Sequence, residues 1–328
     1  MYSLRSLTLI VPAVLSFGLG VSAAPAAAQE FRLGLITPPP HVWTRAANRF
    51  SERIAEETAG EVTVSVFPGG QLGSEGDMMQ QMQTGLVDMA WLTGAIVSVR
   101  LPEFSAWFTP FLFDNVEEAI AATQNEPAQE MLANLSQLGI RGQGYSFAGM
   151  RHILMAGDPV ESPSDLANQR VRIYPFAPMQ VWYETMGAVP TPMGLTEVYP
   201  SLQSGLLNGI DIDFDAMVGL DMQEVAQGLT LTTHMAWPMI AMMTDEAFAR
   251  LSEEHQETFL SVMQETLAWA DQEQIAADAR HLENLRSAIT VVELDDAESL
   301  FSEANDAFQA AFGEIDLVAR FQQAVRDE

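Results

Sequence analysis

Two short stretches far apart in the chain read almost alike: Gln83-Thr-Gly-Leu-Val-Asp88 and Gln203-Ser-Gly-Leu-Leu-Asn208. Each closes a helical pattern at a glycine and opens a short apolar strand. Ahead of the first, residues 31–36 read as a strand, and Pro38-Pro39-Pro40 breaks it. Residues 42–58 then place Trp43, Ala46, Ala47, Phe50 and Ile54 at helical spacing, with Gly60 as the stop. Residues 62–67 alternate as a strand and end at Pro68-Gly69-Gly70; a helix over 76–84 and a strand over 86–92 follow. The second passage repeats this order, with a strand over 188–193, a helix over 196–204 and a strand over 206–212. Strand–helix–strand alternation specifies an α/β fold with a largely parallel sheet. Its repetition predicts two similar lobes, and the cleft between lobes is where small ligands preferentially bind. From 244 to 287, Glu, Gln, Ala and Leu dominate, and Phe248, Leu251, Phe259, Val262 and Leu267 mark long helices spanning both lobes. Residues 300–325 form a further amphipathic helical region expected on the outside.

The N-terminus sets the compartment. Arg5 precedes an apolar run over 8–21, and Ser22-Ala-Ala-Pro-Ala-Ala-Ala28 follows. Charge, apolar core and an Ala-x-Ala site predict a secretory signal peptide over 1–28, cleaved after Ala28, and hence a periplasmic mature chain. The run is shorter than the ~20 residues a spanning helix needs, and no later segment is long and apolar enough, so no membrane insertion is expected. Cysteine is absent, which excludes disulfides and thiolate chemistry. All fifteen basic residues are arginine, so Schiff-base chemistry and a P-loop lysine are excluded as well. A net charge of −29 argues against nucleic acid as a partner. It also means that an anionic ligand must be held by local arginines against the global field.

Three constellations could carry chemistry. Arg170-Val-Arg-Ile-Tyr-Pro175 is strand-like and puts Arg170 and Arg172 on one face. An arginine fork suits a carboxylate, whereas a lone strand arginine is more commonly a surface or ion-pair residue. Asp211-Ile-Asp-Phe-Asp215 sets three acids at strand spacing. They could bind a hard cation or act as an acid/base pair, but the favoured reading is a solvated edge or turn of an acidic protein. The five histidines (41, 152, 234, 255 and 281) have no HExxH-type spacing, so neither a metal site nor a cofactor is expected. No Gly-x-Ser-x-Gly elbow or phosphate loop is present, and no catalytic residue is assigned. Trp91, Phe214 and Trp237 read as core residues on chemistry alone.

The order of motifs resembles the solute-binding subunits of tripartite ATP-independent periplasmic (TRAP) transporters, the DctP-type family, from about residue 31 to the C-terminal helices. Ser162-Pro-Ser-Asp-Leu-Ala-Asn-Gln-Arg-Val-Arg-Ile-Tyr-Pro175 is similar to the family's "peDLkGlkiRvp". Met186-Gly-Ala-Val-Pro-Thr-Pro-Met193, Glu197-Val-Tyr199 and Leu202-Gln-Ser-Gly-Leu-Leu-Asn-Gly209 follow in register. Val66-Phe-Pro-Gly-Gly-Gln-Leu-Gly73 and Gly85-Leu-Val-Asp-Met-Ala90 match in the first lobe. The resemblance implies a two-lobed periplasmic-binding-protein fold of type II-like α/β architecture, with hinge strands and a long lobe-spanning helix. It assigns 29–150 with 237–280 to lobe I, 151–236 to lobe II and 281–328 to a C-terminal helical region packed on the lobes.

By the same resemblance the carboxylate-binding arginine falls on Arg172 and a second family arginine on Arg151, with Thr37, Trp91, Leu195, Ile212, Phe214 and Trp237 as further ligand-site candidates. Where many members have Glu-Asn, this chain has Asp211-Ile212; Asn168 replaces a family glycine, and Leu195 sits where an aromatic is common. These departures favour an acid less polar than a sugar acid. The implied function is capture of a small organic acid and its delivery to the small and large permease subunits. Two other readings are a periplasmic ligand sensor for a receptor kinase and a secreted hydrolase using Asp211, Asp213 and Asp215.

Overall fold

The computed structural model describes residues 28–327, so the predicted signal peptide lies, but for its last residue, outside the described residues. Among the described residues, eleven strands form two sheets. The strands are β1 (Gln29–Leu35), β2 (Val62–Phe67), β3 (Met89–Thr93), β4 (Ile140–Met150), β5 (His152–Met155), β6 (Arg170–Ile173), β7 (Val189–Pro192), β8 (Gly209–Ile212), β9 (Gly228–Leu231), β10 (Ala236–Thr244) and β11 (Thr290–Glu293). The first sheet runs β2-β1-β3-β10-β4 and the second β11-β9-β5-β8-β6-β7. Each contains the same unit of three parallel strands and one antiparallel neighbour: β2-β1-β3 with β10, and β7-β6-β8 with β5. Every residue of β3, β8 and β10 is buried, as strands covered on both faces require.

The sequence echo is a structural one. The helix Glu75–Gln83 ends before Gly85, and Val198–Gln203 ends before Gly205; both glycines sit at φ +72°, where a side chain would be strained. In the first lobe the Arg32 backbone N–H donates to Asp88 Oδ2 (2.8 Å) and its Nη1 to the Leu86 carbonyl (2.9 Å). In the second the Arg170 N–H donates to Asn208 Oδ1 (3.0 Å) and its Nε to the Leu206 carbonyl (2.7 Å). The same clamp locks the same turn twice. Those turns consume residues 86–88 and 206–208, so both strands begin later than the apolar pattern alone suggests.

The chain crosses between sheets three times. β4 passes directly through Arg151 into β5, and the return runs through 232–235 into β10. The two crossings are tied together, Arg151 N–H to the Met235 carbonyl (2.7 Å) and His234 N–H to the Arg151 carbonyl (3.3 Å). The third crossing is the 36-residue helix Glu253–Ala288, capped by Ser252, which spans about 54 Å at 1.5 Å per residue. It packs on the helix Val42–Glu57 and β4 in the first lobe and on the helix Phe214–Gly219 in the second. It leads into β11, which pairs in parallel with β9, so the C-terminal region expected to be helical also contributes a strand to the second sheet. A four-residue strand carries too little periodicity to be seen in a helix-rich composition. The last helices strap both lobes: Ser302–Phe312 lies on Ala177–Thr185, and Asp316–Asp327 lies on Pro102–Phe108 and Glu126–Asn134.

The long helix sets two half-buried carboxyls against the hinge. Burial pushes Asp271 up to about 7, with the Ser146 hydroxyl and Phe147 N–H opposing. Burial, with the charges of Asp213, Asp215 and Glu117, pushes Asp278 up to about 8, against a hydrogen bond from Gln274. A carboxyl raised in the folded state binds its proton more readily there than when unfolded. Its contribution is therefore complete below pH 4 and is lost as pH rises to about 8. The thermal midpoint by scanning calorimetry is expected to be lower at pH 8.5 than at pH 5. Asp278→Asn, which keeps an acceptor for Gln274, should recover part of that loss, of the order of a few kcal/mol; an Asp278→Asn protein with an unchanged pH profile would contradict this.

Candidate ligand-binding site

A cavity of about 280 Å³ lies between the two sheets, at the small end for ligand pockets. The first lobe contributes Ile36, Thr37, His41, Trp43, Glu75 and Ile96, and the second Arg172, Tyr174, Leu195, Asp213 and Ala216; Arg151 and Trp237 enter from the hinge. Of the candidates read from sequence, the structure brings Arg172, Arg151, Thr37, Leu195 and Trp237 to this cavity. It places Trp91, Ile212 and Phe214 elsewhere. Trp91 is on β3, buried under the helix Val42–Glu57 with Phe50 at 6.4 Å. Ile212, at the end of β8, is in the second lobe's own core, and Phe214 stacks on His152 at 4.3 Å. Alternation on β8 turns Ile212 away from Asp211 and Asp213, so the apolar wall expected there is not formed by Ile212.

The two arginines are built differently. Arg151 is a committed side chain. Its Nε donates to Asp211 Oδ1 (2.5 Å), its Nη1 to Asp213 Oδ2 (2.8 Å) and its Nη2 to the Asp211 carbonyl, while its Cζ lies 4.1 Å from the Trp237 ring centroid. Three of its five N–H groups are spent. Arg172 lies on β6 between β7 and β8, only 3% exposed, and its Nε and Nη2 both donate to the Met193 carbonyl (3.1 and 3.0 Å). Among the described residues no carboxylate pairs with it. Burial and the neighbouring charge of Arg151 lower it to about 10, against partial opposition from Asp211, Tyr174 and Glu75. A buried, unpaired cation costs several kcal/mol unless something neutralises it.

The three acids are neither a solvated edge nor a cation cage. Asp211, Asp213 and Asp215 are all buried, and each is engaged within the protein. Asp211 accepts from Arg151 and from Tyr183 Oη (2.8 Å), and its Oδ2 lies 2.8 Å from His234 Nε2. Burial would raise it, but Arg151 and His234 outweigh burial and hold it far below the usual carboxylate range. Asp213 pairs with Arg151 and caps the helix Phe214–Gly219 through the Ala216 N–H (2.8 Å). Asp215 reaches the other lobe: its Oδ2 accepts from the Val42 N–H (2.7 Å), at the start of the helix Val42–Glu57, and lies 3.4 Å from His41 Nδ1. Its Oδ1 faces His281 Nε2 on the long helix at 3.1 Å. Burial again opposes ionisation, and His41, His281 and the Val42 N–H together bring Asp215 down to about 2.

Sequence reading missed Glu75, Trp43 and Tyr174. Glu75 opens a helix with a Ser74–Asp77 capping box and turns inward, accepting from the Thr93 N–H (2.6 Å). Burial raises its carboxyl, with Thr93, Tyr174 and Arg172 opposing. Trp43 has an indole N–H that is buried without a partner among the described residues. Tyr174 was legible in principle, since it stands two residues beyond Arg172, just past the end of β6.

A guanidinium without a carboxylate partner among the described residues, set in a small interlobe cavity, is suited to receive an anion. The sequence profile of bacterial extracellular solute-binding protein family 7 (DctP) matches residues 33–314. The chain belongs to this family. A solute-binding protein of Roseobacter denitrificans is 29% identical over 89% of this chain and 87% of its own length. The 2,3-diketo-L-gulonate-binding periplasmic protein of Escherichia coli is 27% identical over 74% of both chains. A TRAP periplasmic solute-binding protein from Sulfitobacter sp. NAS-14.1, solved with bound β-D-galacturonate, superposes with a TM-score of 0.84 at 26% identity, covering 89% of this chain and 99% of that one. Among the described residues no helix is long and apolar enough to cross a membrane.

Proposed function

We propose that this family 7 chain is a periplasmic subunit that captures a small organic acid between its lobes and delivers it to the membrane subunits of a TRAP transporter. The observation that carries the acid is Arg172, a buried guanidinium with no carboxylate partner among the described residues. The carboxylate docks on Arg172. Arg151 adds positive charge and its two remaining N–H groups, and the Met193 carbonyl holds the Arg172 fork in place. The 2,3-diketogulonate and galacturonate ligands named for two relatives support an acid as the class. The wall of Ile36, Trp43, Ile96, Leu195 and Trp237 favours a body less polar than those sugar acids. Glu75, also in the cavity wall, is available to one further polar group of the ligand. Hydrogen bonds to charged groups contribute about 1.5–3 kcal/mol each, and micromolar affinity needs about 8 kcal/mol, so two arginine contacts and apolar burial suffice. Binding without turnover is supported by the acids, since Asp211, Asp213 and Asp215 are each already bonded to arginine, histidine or a helix N-terminus.

Closure has its own contact. Asp215 of the second lobe sits on the N-terminus of the first lobe's helix, where a negative charge is favoured. Asp215→Asn is expected to weaken ligand binding about tenfold in calorimetry and to widen the liganded particle in small-angle scattering. Unchanged affinity would show that this contact does not contribute to closure. The functional reading itself is tested by titrating the mature protein with a panel of small monocarboxylates, hydroxy acids, oxo acids and uronates. Micromolar binding of at least one acid is expected, and binding only of neutral or cationic solutes would overturn it.

A further inference from the structure

Among the described residues, one histidine stands in the wall of the interlobe cavity, His41. It is the N-cap of the helix Val42–Glu57, and its Nδ1 accepts from the Trp43 N–H (3.1 Å). A ring nitrogen that accepts carries no hydrogen, so the hydrogen of the neutral ring is on Nε2. Protonating the ring would leave that hydrogen in place, and Nε2–H is a donor in either state. It makes no hydrogen bond among the described residues. The Trp43 indole N–H beside it is shut off from solvent, whereas His41 Nε2 is open although its side chain is only 1% exposed. The space that the ring lines is the cavity.

The ring is fixed before a ligand arrives. Its Nδ1 edge lies between the Trp43 N–H and Asp215 Oδ2, the latter at 3.4 Å, and its centroid is 5.0 Å from that of the Trp43 ring. The capping role uses Nδ1 alone, and Ser, Thr, Asp or Asn is the commoner choice for it. What histidine adds at this position is the second nitrogen. A buried donor with no partner is normally met by something, and this one faces the space where the acid docks.

We infer that His41 is a specificity residue, its Nε2–H donating to a ligand oxygen other than those of the carboxylate on Arg172, and that the ligand is a hydroxy monocarboxylate. The inference rests on the acid reading above and narrows it. Glu75, from the same lobe and the same wall, accepts from the Thr93 N–H (2.6 Å) and the Thr93 hydroxyl (3.3 Å), so what it can offer a ligand is an acceptor. A second carboxylate would accept from His41 but face Glu75. An ammonium would suit Glu75 and leave His41 unpaired. A hydroxyl both accepts and donates, and so suits both. With its carboxylate on Arg172 of the second lobe and its hydroxyl toward the first, such a ligand is gripped by both lobes.

The probes are butyrate, its 2-, 3- and 4-hydroxy derivatives, and succinate, titrated calorimetrically into the mature protein. At least one hydroxybutyrate should bind about tenfold tighter than butyrate, and succinate should bind no tighter than butyrate. Asn at position 41 keeps an oxygen for the cap but lacks the reach of Nε2. His41→Asn should therefore narrow the hydroxyl preference to less than about threefold, a change in ratio that a merely structural role would not produce. In long-range proton–nitrogen spectra of the unmutated protein, the His41 Nε2 signal should move with the preferred hydroxybutyrate and stay in place with butyrate. Arg172→Ala should weaken every acid that binds, which tests the acid reading separately. Equal binding of butyrate and all three hydroxybutyrates, a preference for succinate, a hydroxyl preference that survives His41→Asn, or an unmoved Nε2 signal would overturn the inference. Binding of none of the five would also overturn it, with the acid reading then decided by the wider panel.

Discussion

Arg172→Ala is expected to weaken binding of the acid ligand by about 2–4 kcal/mol, roughly 30- to 1,000-fold, because a bidentate charge-assisted contact is lost. Arg172→Lys should be nearly as damaging, since an ammonium cannot reproduce the planar fork that spends Nε and one Nη2 hydrogen on the Met193 carbonyl and leaves Nη1 and the second Nη2 hydrogen for a carboxylate. The same substitution carries a second, opposite readout. In the unliganded protein Arg172 is a desolvated cation with no carboxylate partner among the described residues, so its removal should leave the thermal midpoint unchanged or raise it. A binding residue that destabilises its own fold is what separates this reading from a structural one. Should Arg172→Ala keep its affinity and lose stability instead, Arg172 is a structural ion-pair residue and the acid is held elsewhere.

Asp211→Ala should have the opposite profile. Asp211 is fully buried and simultaneously contacts Arg151, Tyr183 and His234 at the point where the chain crosses between lobes. Removing one member of such a network leaves the others unpaired in a low-dielectric interior, a loss of about 3–5 kcal/mol. Denaturant unfolding should show that loss above pH 4. It should shrink as pH falls further, because Asp211 is held in its charged form far below the ordinary carboxylate range and contributes most where the unfolded chain is ionised. Asp211→Asn should recover part of it by keeping the side-chain oxygen. A surface-like effect below about 0.5 kcal/mol would mean that the network is not formed.

How much of this was readable from sequence follows from how local each signal is. The α/β alternation, the two glycine-stopped helices and the strand face bearing Arg172 depend on periodicities of two and 3.6 and on φ > 0 positions, all of which are written in neighbouring residues. The partner of each charge is not local. Asp211 and Arg151 are sixty residues apart and meet only because β5 and β8 pair antiparallel, placing His152 opposite Ile212. For that reason the acids at 211, 213 and 215 could read as a solvated edge in sequence and be buried anchors in the fold. It is also why Arg151 could read as a ligand contact and prove largely committed to the hinge. Trp91 lies off the interlobe cavity for a related reason. An aromatic near a site motif has no sequence signal for which face of the sheet it takes once a helix covers that face. Glu75 was hidden because a capping box fixes where a helix starts without fixing which first-turn side chain turns inward.

The most direct test is a crystal structure of the protein with its acid ligand, read at Arg172. The expected geometry is a ligand carboxylate in the cavity between the lobes, with its oxygens about 2.7–2.9 Å from the Arg172 guanidinium nitrogens. Asp211 and Asp213 should remain on Arg151. A carboxylate bound away from Arg172, with that side chain still holding only the Met193 carbonyl, would contradict it.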